Sequence, residues 1–172
     1  IRYYNDTTKL GRFMVKTIKT ILVNKPQASI AVVHRYTSQE TAQKPKILQE
    51  LELNFSLITT DQYGKRFNSD SQRKPIYFTD AFSAKGLEFD YVFVIQFDND
   101  HYPHKQRVKE LMKQSEKTQG DTYDKDYNSI INDEKKDLYV AMTRAKEKLW
   151  LLYNGELYHK IIQCIRAFNT QD

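Results

Sequence analysis

The sequence predicts an α/β domain with a mostly parallel sheet flanked by helices. Two observations carry that expectation. Short β-branched apolar runs alternate along the chain with segments of helical spacing, the pattern of strands joined by crossover helices. The 172 residues are 40% hydrophobic, enough for the core of one domain.

The elements follow in order. "GRFMVKTIKTILV" (11–23) sets Phe13, Met14, Thr17, Ile18, Ile21 and Leu22 at helical spacing, and Asn24, Lys25 and Pro26 end it. "SIAVVHR" (29–35) is an apolar run suited to a buried parallel strand. Ser38 is placed to cap a second helix, which includes "PKILQELEL" (45–53) with Pro45 in an early turn. "FSLITT" (55–60) reads as a strand, and a polar loop is expected over 61–74. "IYFTDAF" (76–82) and "YVFVIQF" (91–97) read as two further strands. The span 98–128 is rich in Lys, Gln, Asp and Tyr with little periodicity, and is expected to be a flexible insertion loop. A helix is expected from about 130 to 146, a strand over "KLWLLY" (148–153), and a last helix from Gly155 with Leu157, Ile161, Ile162 and Ile165 on one stripe.

Composition narrows the function. A formal charge of +5 suits a partner that carries phosphates, without requiring one. The single cysteine, Cys164, excludes an internal disulfide framework and points to a reducing, cytoplasmic compartment. No apolar run approaches the roughly 20 residues that span a bilayer, and no membrane partner is expected. The chain begins at Ile1 rather than Met and reads as a single domain of a longer protein.

Several chemistries have no motif. A phosphate loop needs G-x-x-x-x-G-K-[ST], but Gly64-Lys65 is followed by Arg66 and position 59 is Thr. With five glycines no G-x-G-x-x-G fits, and no G-x-S-x-G elbow occurs. His34, His101, His104 and His159 are too scattered for a metal site. "SIINDEKK" (129–136) has the look of an acidic metal box, but Asp133 and Glu134 suit the opening of a helix better, where carboxylates favour the dipole.

Two segments hold the chemistry that is left. In "AKGLEFDYVFV" (84–94), Gly86 allows a sharp turn and a close backbone approach, and Glu88 is placed to accept from a ribose hydroxyl pair. A tight turn with a solvated glutamate is the plainer account. In "DEKKDLYVAMTRAKEKL" (133–149), Leu138, Met142 and Ala145 share a helix face, and Arg144 falls near its C-terminal turn. An arginine there is favoured by the helix dipole alone. Its fork of donors also suits phosphoryl oxygens and the charge of phosphoryl transfer.

Together these segments resemble the C-terminal motifs of superfamily-one DNA helicases of the UvrD/Rep/PcrA type. That family carries K-G-L-E-F/W-D, an apolar strand, a Phe-Pro segment, then E-E-x-R-R-L-x-Y-V-A-x-T-R-A and another strand. Here "AKGLEFDYVFV", "HYPHKQ" and "DEKKDLYVAMTRAKEKLWLL" stand in the same order, and "SIAVVHR" resembles the upstream I-A-V-L-x-R segment, so the likeness runs from about Phe13 to Tyr153. The resemblance implies a RecA-like three-layer domain, the second motor domain of an ATP-dependent translocase. The first, N-terminal RecA-like domain would hold the phosphate loop and the magnesium. This chain would supply the far wall of the ATP site, with Glu88 at the sugar, Gly86 shaping the loop and Arg144 reaching the γ-phosphate as the catalytic arginine. Arg35, Phe82 and Lys85 would lie along single-stranded DNA. The isolated chain would hydrolyse no ATP.

There are departures. The family's T-x-H-x-x-K-G-L-E becomes Asp80, Phe82 and Lys85 here, and Lys135-Lys136 replace paired arginines. Phe82 suits either base stacking or the core. The family's Q-N-Y-R-S segment would lie before Ile1. These changes bring the chain closer to the divergent helicase IV-like branch and to helicase-like factors that act on RNA polymerase. The alternative is therefore a RecA-like module without motor function that docks on such a partner through 98–128.

Overall fold

A computed structural model describes residues 1–59, 76–98, 100–102, 105–115 and 123–154. Eleven elements follow one another: β1 (Arg2–Tyr3), α1 (Thr7–Asn24), β2 (Ile30–His34), α2 (Ser38–Ala42), α3 (Lys46–Glu52), β3 (Leu57–Thr59), β4 (Ile76–Asp80), β5 (Phe89–Val94), α4 (Lys105–Ser115), α5 (Tyr123–Met142) and β6 (Ala145–Tyr153). The strands form one six-stranded sheet in the order β1-β6-β5-β2-β4-β3, and every pairing is parallel. β2 lies at the centre and is buried along its whole length, as a parallel strand covered on both faces must be.

The pleat sends alternate side chains to opposite faces, and two cores result. On one face Ile30, Val32, Phe78, Phe93 and Ile95 meet Leu10, Met14 and Ile18 of α1 and Ile47, Leu48 and Leu51 of α3. On the other face Ala31, Val33, Val92 and Val94 meet Leu138 and Ala141 of α5, together with Ala81 and Phe89. This is the parallel α/β sheet expected from the alternating pattern, in the three-layer arrangement that the resemblance implies.

Helix starts follow local chemistry. Asp6 caps α1 by accepting from the Lys9 N–H at 2.7 Å, so the helix begins four residues before Gly11. Thr37 rather than Ser38 caps α2, with Glu40 completing a capping box. Pro45 is itself the N-cap of α3.

Three expectations are corrected. The span 98–128 is not one loop: it carries α4 and the start of α5. Val108 and Met112 of α4 stand at i and i+4, a spacing that composition alone hides, and α4 packs on α5. Helix α5 begins seven residues before 130, so Asp133 and Glu134 sit in its middle rather than at its opening. It also ends at Met142, and the strand that follows begins at Ala145 rather than Lys148. The polar loop over 61–74 and the last helix from Gly155 lie outside the described residues.

Candidate functional site

The connection from β4 to β5 is short and tightly turned. Ala84 N–H donates to Asp80 O, Lys85 N–H to Phe82 O and Leu87 N–H to Ala84 O. The Asp80 carboxylate closes its start, accepting from Ser83 N at 2.9 Å and Ser83 Oγ at 2.8 Å. Partial burial acts to raise the Asp80 carboxyl. The two Ser83 hydrogen bonds and nearby His34 outweigh it, and the group is held below the usual carboxylate range. Asp80 therefore organises a turn, which answers why a carboxylate stands where the family carries a threonine.

Gly86 ends the turn with φ +84°, a conformation that L side chains rarely adopt. A Cβ there would meet nothing within 4 Å, so the backbone at Gly86 faces open space. Glu88 follows, 64% exposed in its side chain and paired with Lys146 Nζ at 3.2 Å.

Arg144 comes to this loop from the other side of the chain. It stands between the end of α5 and the start of β6, and its own carbonyl accepts from Phe89 N–H at 2.9 Å. The guanidinium bridges two elements. Nε donates to Val140 O at 3.0 Å, in the last turn of α5, and Nη1 donates to Leu87 O at 3.1 Å. Nη2 donates to Thr143 Oγ1 at 3.1 Å. One further N–H on each terminal nitrogen is left over by these three bonds, since the group carries five. Gly86, Glu88 and Arg144 thus converge at the amino ends of β5 and β6. The arrangement sets a guanidinium with spare donors beside an open backbone turn. Among the described residues no group of three or more His, Cys, Asp or Glu is arranged to hold a metal ion.

The strand behind the loop is fixed by a residue the sequence reading passed over. Asp90 accepts from both Ser29 N (2.7 Å) and Ser29 Oγ (2.9 Å), and Ser29 Oγ accepts from Asp90 N–H (3.0 Å). A register shift between Phe89 and Tyr91 accompanies this clamp. The aspartate that closes "KGLEFD" was the available signal.

Phe82 and Arg35 lie elsewhere. Both follow the carboxyl ends of paired strands, since His34 and Asp80 are register partners. Phe82 is 76% exposed, which excludes the core reading, and Lys85 is exposed beside it. Arg35 is a correction. Its side chain is only 10% exposed, with Nη2 on the buried Glu134 carboxylate and Nη1 3.4 Å from Asp137, both on α5. Its guanidinium stacks on the Tyr102 ring at 4.8 Å. It points into the protein and is not presented to a nucleic-acid strand.

Residues 30–156 match the family model described as the UvrD-like helicase C-terminal domain. A curated relative from Mycoplasma pneumoniae, named "Probable DNA helicase II homolog", is 32% identical over 136 residues. That match covers 74% of this chain and 17% of the relative, so the chain spans about a sixth of that protein's length. In structure the chain is similar to the C-terminal domain of a possible DNA helicase from Lactobacillus plantarum WCFS1, with a TM-score of 0.52 and 17% identity over 90% of this chain and 73% of the other. With the family model matched across every strand of the sheet but β1, the chain belongs to the UvrD-like helicase C-terminal domain family.

Proposed function

We propose that this domain supplies one wall of an ATP site completed by a separate N-terminal RecA-like domain, in an ATP-driven translocase on single-stranded DNA. The observation that supports the reading best is the Arg144 to Leu87 hydrogen bond, which joins the helix-end arginine to the Gly86–Glu88 turn. Arg144 is held at the base of its fork and keeps donors on both terminal nitrogens. A pre-oriented guanidinium of this kind favours charge that builds on phosphoryl oxygens. Glu88 is exposed enough to accept from a sugar hydroxyl once it exchanges its surface partner Lys146. Gly86 leaves the turn open for a flat ligand edge.

ATP would supply the phosphoryl group and magnesium the countercharge, with the metal held by the other domain. This chain's residues orient and neutralise; they contribute no phosphate loop. Phe82 and Lys85 offer a stacking face and a cation for a single strand near the carboxyl edge.

The test is DNA-stimulated ATP hydrolysis by the parent protein with and without Arg144→Ala, alongside ATP affinity. The expected result is a fall in turnover of about 10³-fold, with ATP still bound. The 172-residue chain alone is expected to hydrolyse no ATP. Unchanged turnover in the variant would reduce Arg144 to a helix-end charge and favour a docking module instead.

A further inference from the structure

Helix α1 covers the sheet face opposite the Arg144 edge, and its outer surface has no role in the site above. Arg12, Lys16 and Lys19 project from that surface at spacings of four and three residues, which places them on one side of the helix. All three are exposed, and none takes part in an ion pair among the described residues. They line a groove of about 610 Å³ between α1 and the end of α3. Val15 and Val23 form its apolar part, and Val23 is 79% exposed. One carboxylate, Glu50, stands on the α3 side, so three cations face one anion.

We propose that this groove is a second contact for single-stranded nucleic acid, separate from the Phe82 and Lys85 edge. The charge fits a phosphate backbone. At about 1.5 Å per residue the three cations span roughly 10 Å along the helix, the length of about two phosphate steps. The apolar part selects the strand. A duplex keeps its base faces stacked inside, whereas a single strand can lay bases against Val15 and Val23. An acidic peptide without aromatic side chains would match the charge but offers no flat ring to that floor.

The inference does not depend on ATP, so it stands or falls apart from the motor reading. Its test is fluorescence anisotropy of a labelled oligothymidylate with the 172-residue chain, at low and moderate salt. The variants are Arg12→Ala/Lys16→Ala/Lys19→Ala and Glu50→Gln, each checked for an unchanged circular-dichroism melt. Three contacts on a single strand give a log–log salt slope of about −2. The wild-type chain is therefore expected to lose on the order of tenfold more affinity than the triple variant between ~50 and ~200 mM salt. Glu50→Gln is expected to tighten binding severalfold. A triple variant that binds with the wild-type affinity and slope would overturn the proposal, as would no binding by the wild-type chain. A duplex of equal length binding as tightly as the single strand, or polyglutamate competing as well as oligothymidylate, would also overturn it.

Discussion

Replacing Arg35 by Met should be among the most destabilising single changes in the described part of the chain. The Arg35 side chain is 10% exposed, and its partner Glu134 is 1% exposed. Met fills a similar length but brings no charge, so Glu134 stays buried without the guanidinium, while Asp137, 34% exposed, can turn to water. Removing one member of a buried ion pair costs about 3–5 kcal/mol. The stacking of Arg35 on Tyr102 is lost as well, and falls within that range. For a chain of this size each kcal/mol lowers Tm by about 2–4 °C, so the melt should move down by roughly 6–20 °C. The double variant Arg35→Met/Glu134→Leu supplies the sharper arm. It removes both charges together, and a buried pair exchanged for apolar groups is often close to neutral. Thermal melts of the four proteins give the coupling, expected at about 2 kcal/mol or more. A single variant within about 1 kcal/mol of wild type, or a double variant that loses the full sum of the singles, would refute the buried-pair account.

Three further outcomes follow from the β4–β5 turn. Gly86→Ala should cost about 1 kcal/mol through its positive φ rather than through any clash, and Gly86→Asn should cost less, both read from urea unfolding. The Asp80 carboxyl sits lower in the fold than in the unfolded chain, so its contribution is present above the unfolded pKa of 3.8 and is lost as pH falls through the folded value. Asp80→Asn should therefore be less stable than wild type at neutral pH by about 1 kcal/mol, with the gap closing in acid, as parallel melts across pH would show. Phe82→Ala should leave stability within about 0.5 kcal/mol, because the ring is 76% exposed, yet weaken oligothymidylate binding by the parent protein by about 1–3 kcal/mol.

The sheet was legible where strands are buried on both faces. "SIAVVHR" and "IYFTDAF" each contain an observed strand, and "YVFVIQF" overlaps β5, which begins two residues earlier and ends three residues sooner. The edge strand β1 was not legible, since Arg2 and Tyr3 are exposed and gain their strand form only by pairing with Leu152 and Tyr153. Helix α4 escaped for a related reason. Its support comes from packing on α5, and its own sequence offers few apolar residues to announce it.

The site shows a different limit. Sequence places a residue at the end of an element but not the direction of its side chain. Arg35 and Arg144 both stand at element ends, and both were expected to face a phosphate. The surroundings separate them. Arg35 follows a central strand and has two carboxylates of α5 within reach, so its charge is satisfied inside. Arg144 follows the last turn of α5, where carbonyls rather than carboxylates are at hand. Its hydrogen bonds run to Val140 O and Leu87 O, and among the described residues no carboxylate pairs with it. The helix-end account and the phosphate account of Arg144 are therefore not rivals. Thr143 Oγ1 lies 2.9 Å from Tyr139 O and accepts from Arg144 Nη2, so the contacts that finish the helix also aim the fork. An arginine held by neutral acceptors keeps its attraction for an anion, whereas one held by carboxylates has already spent it.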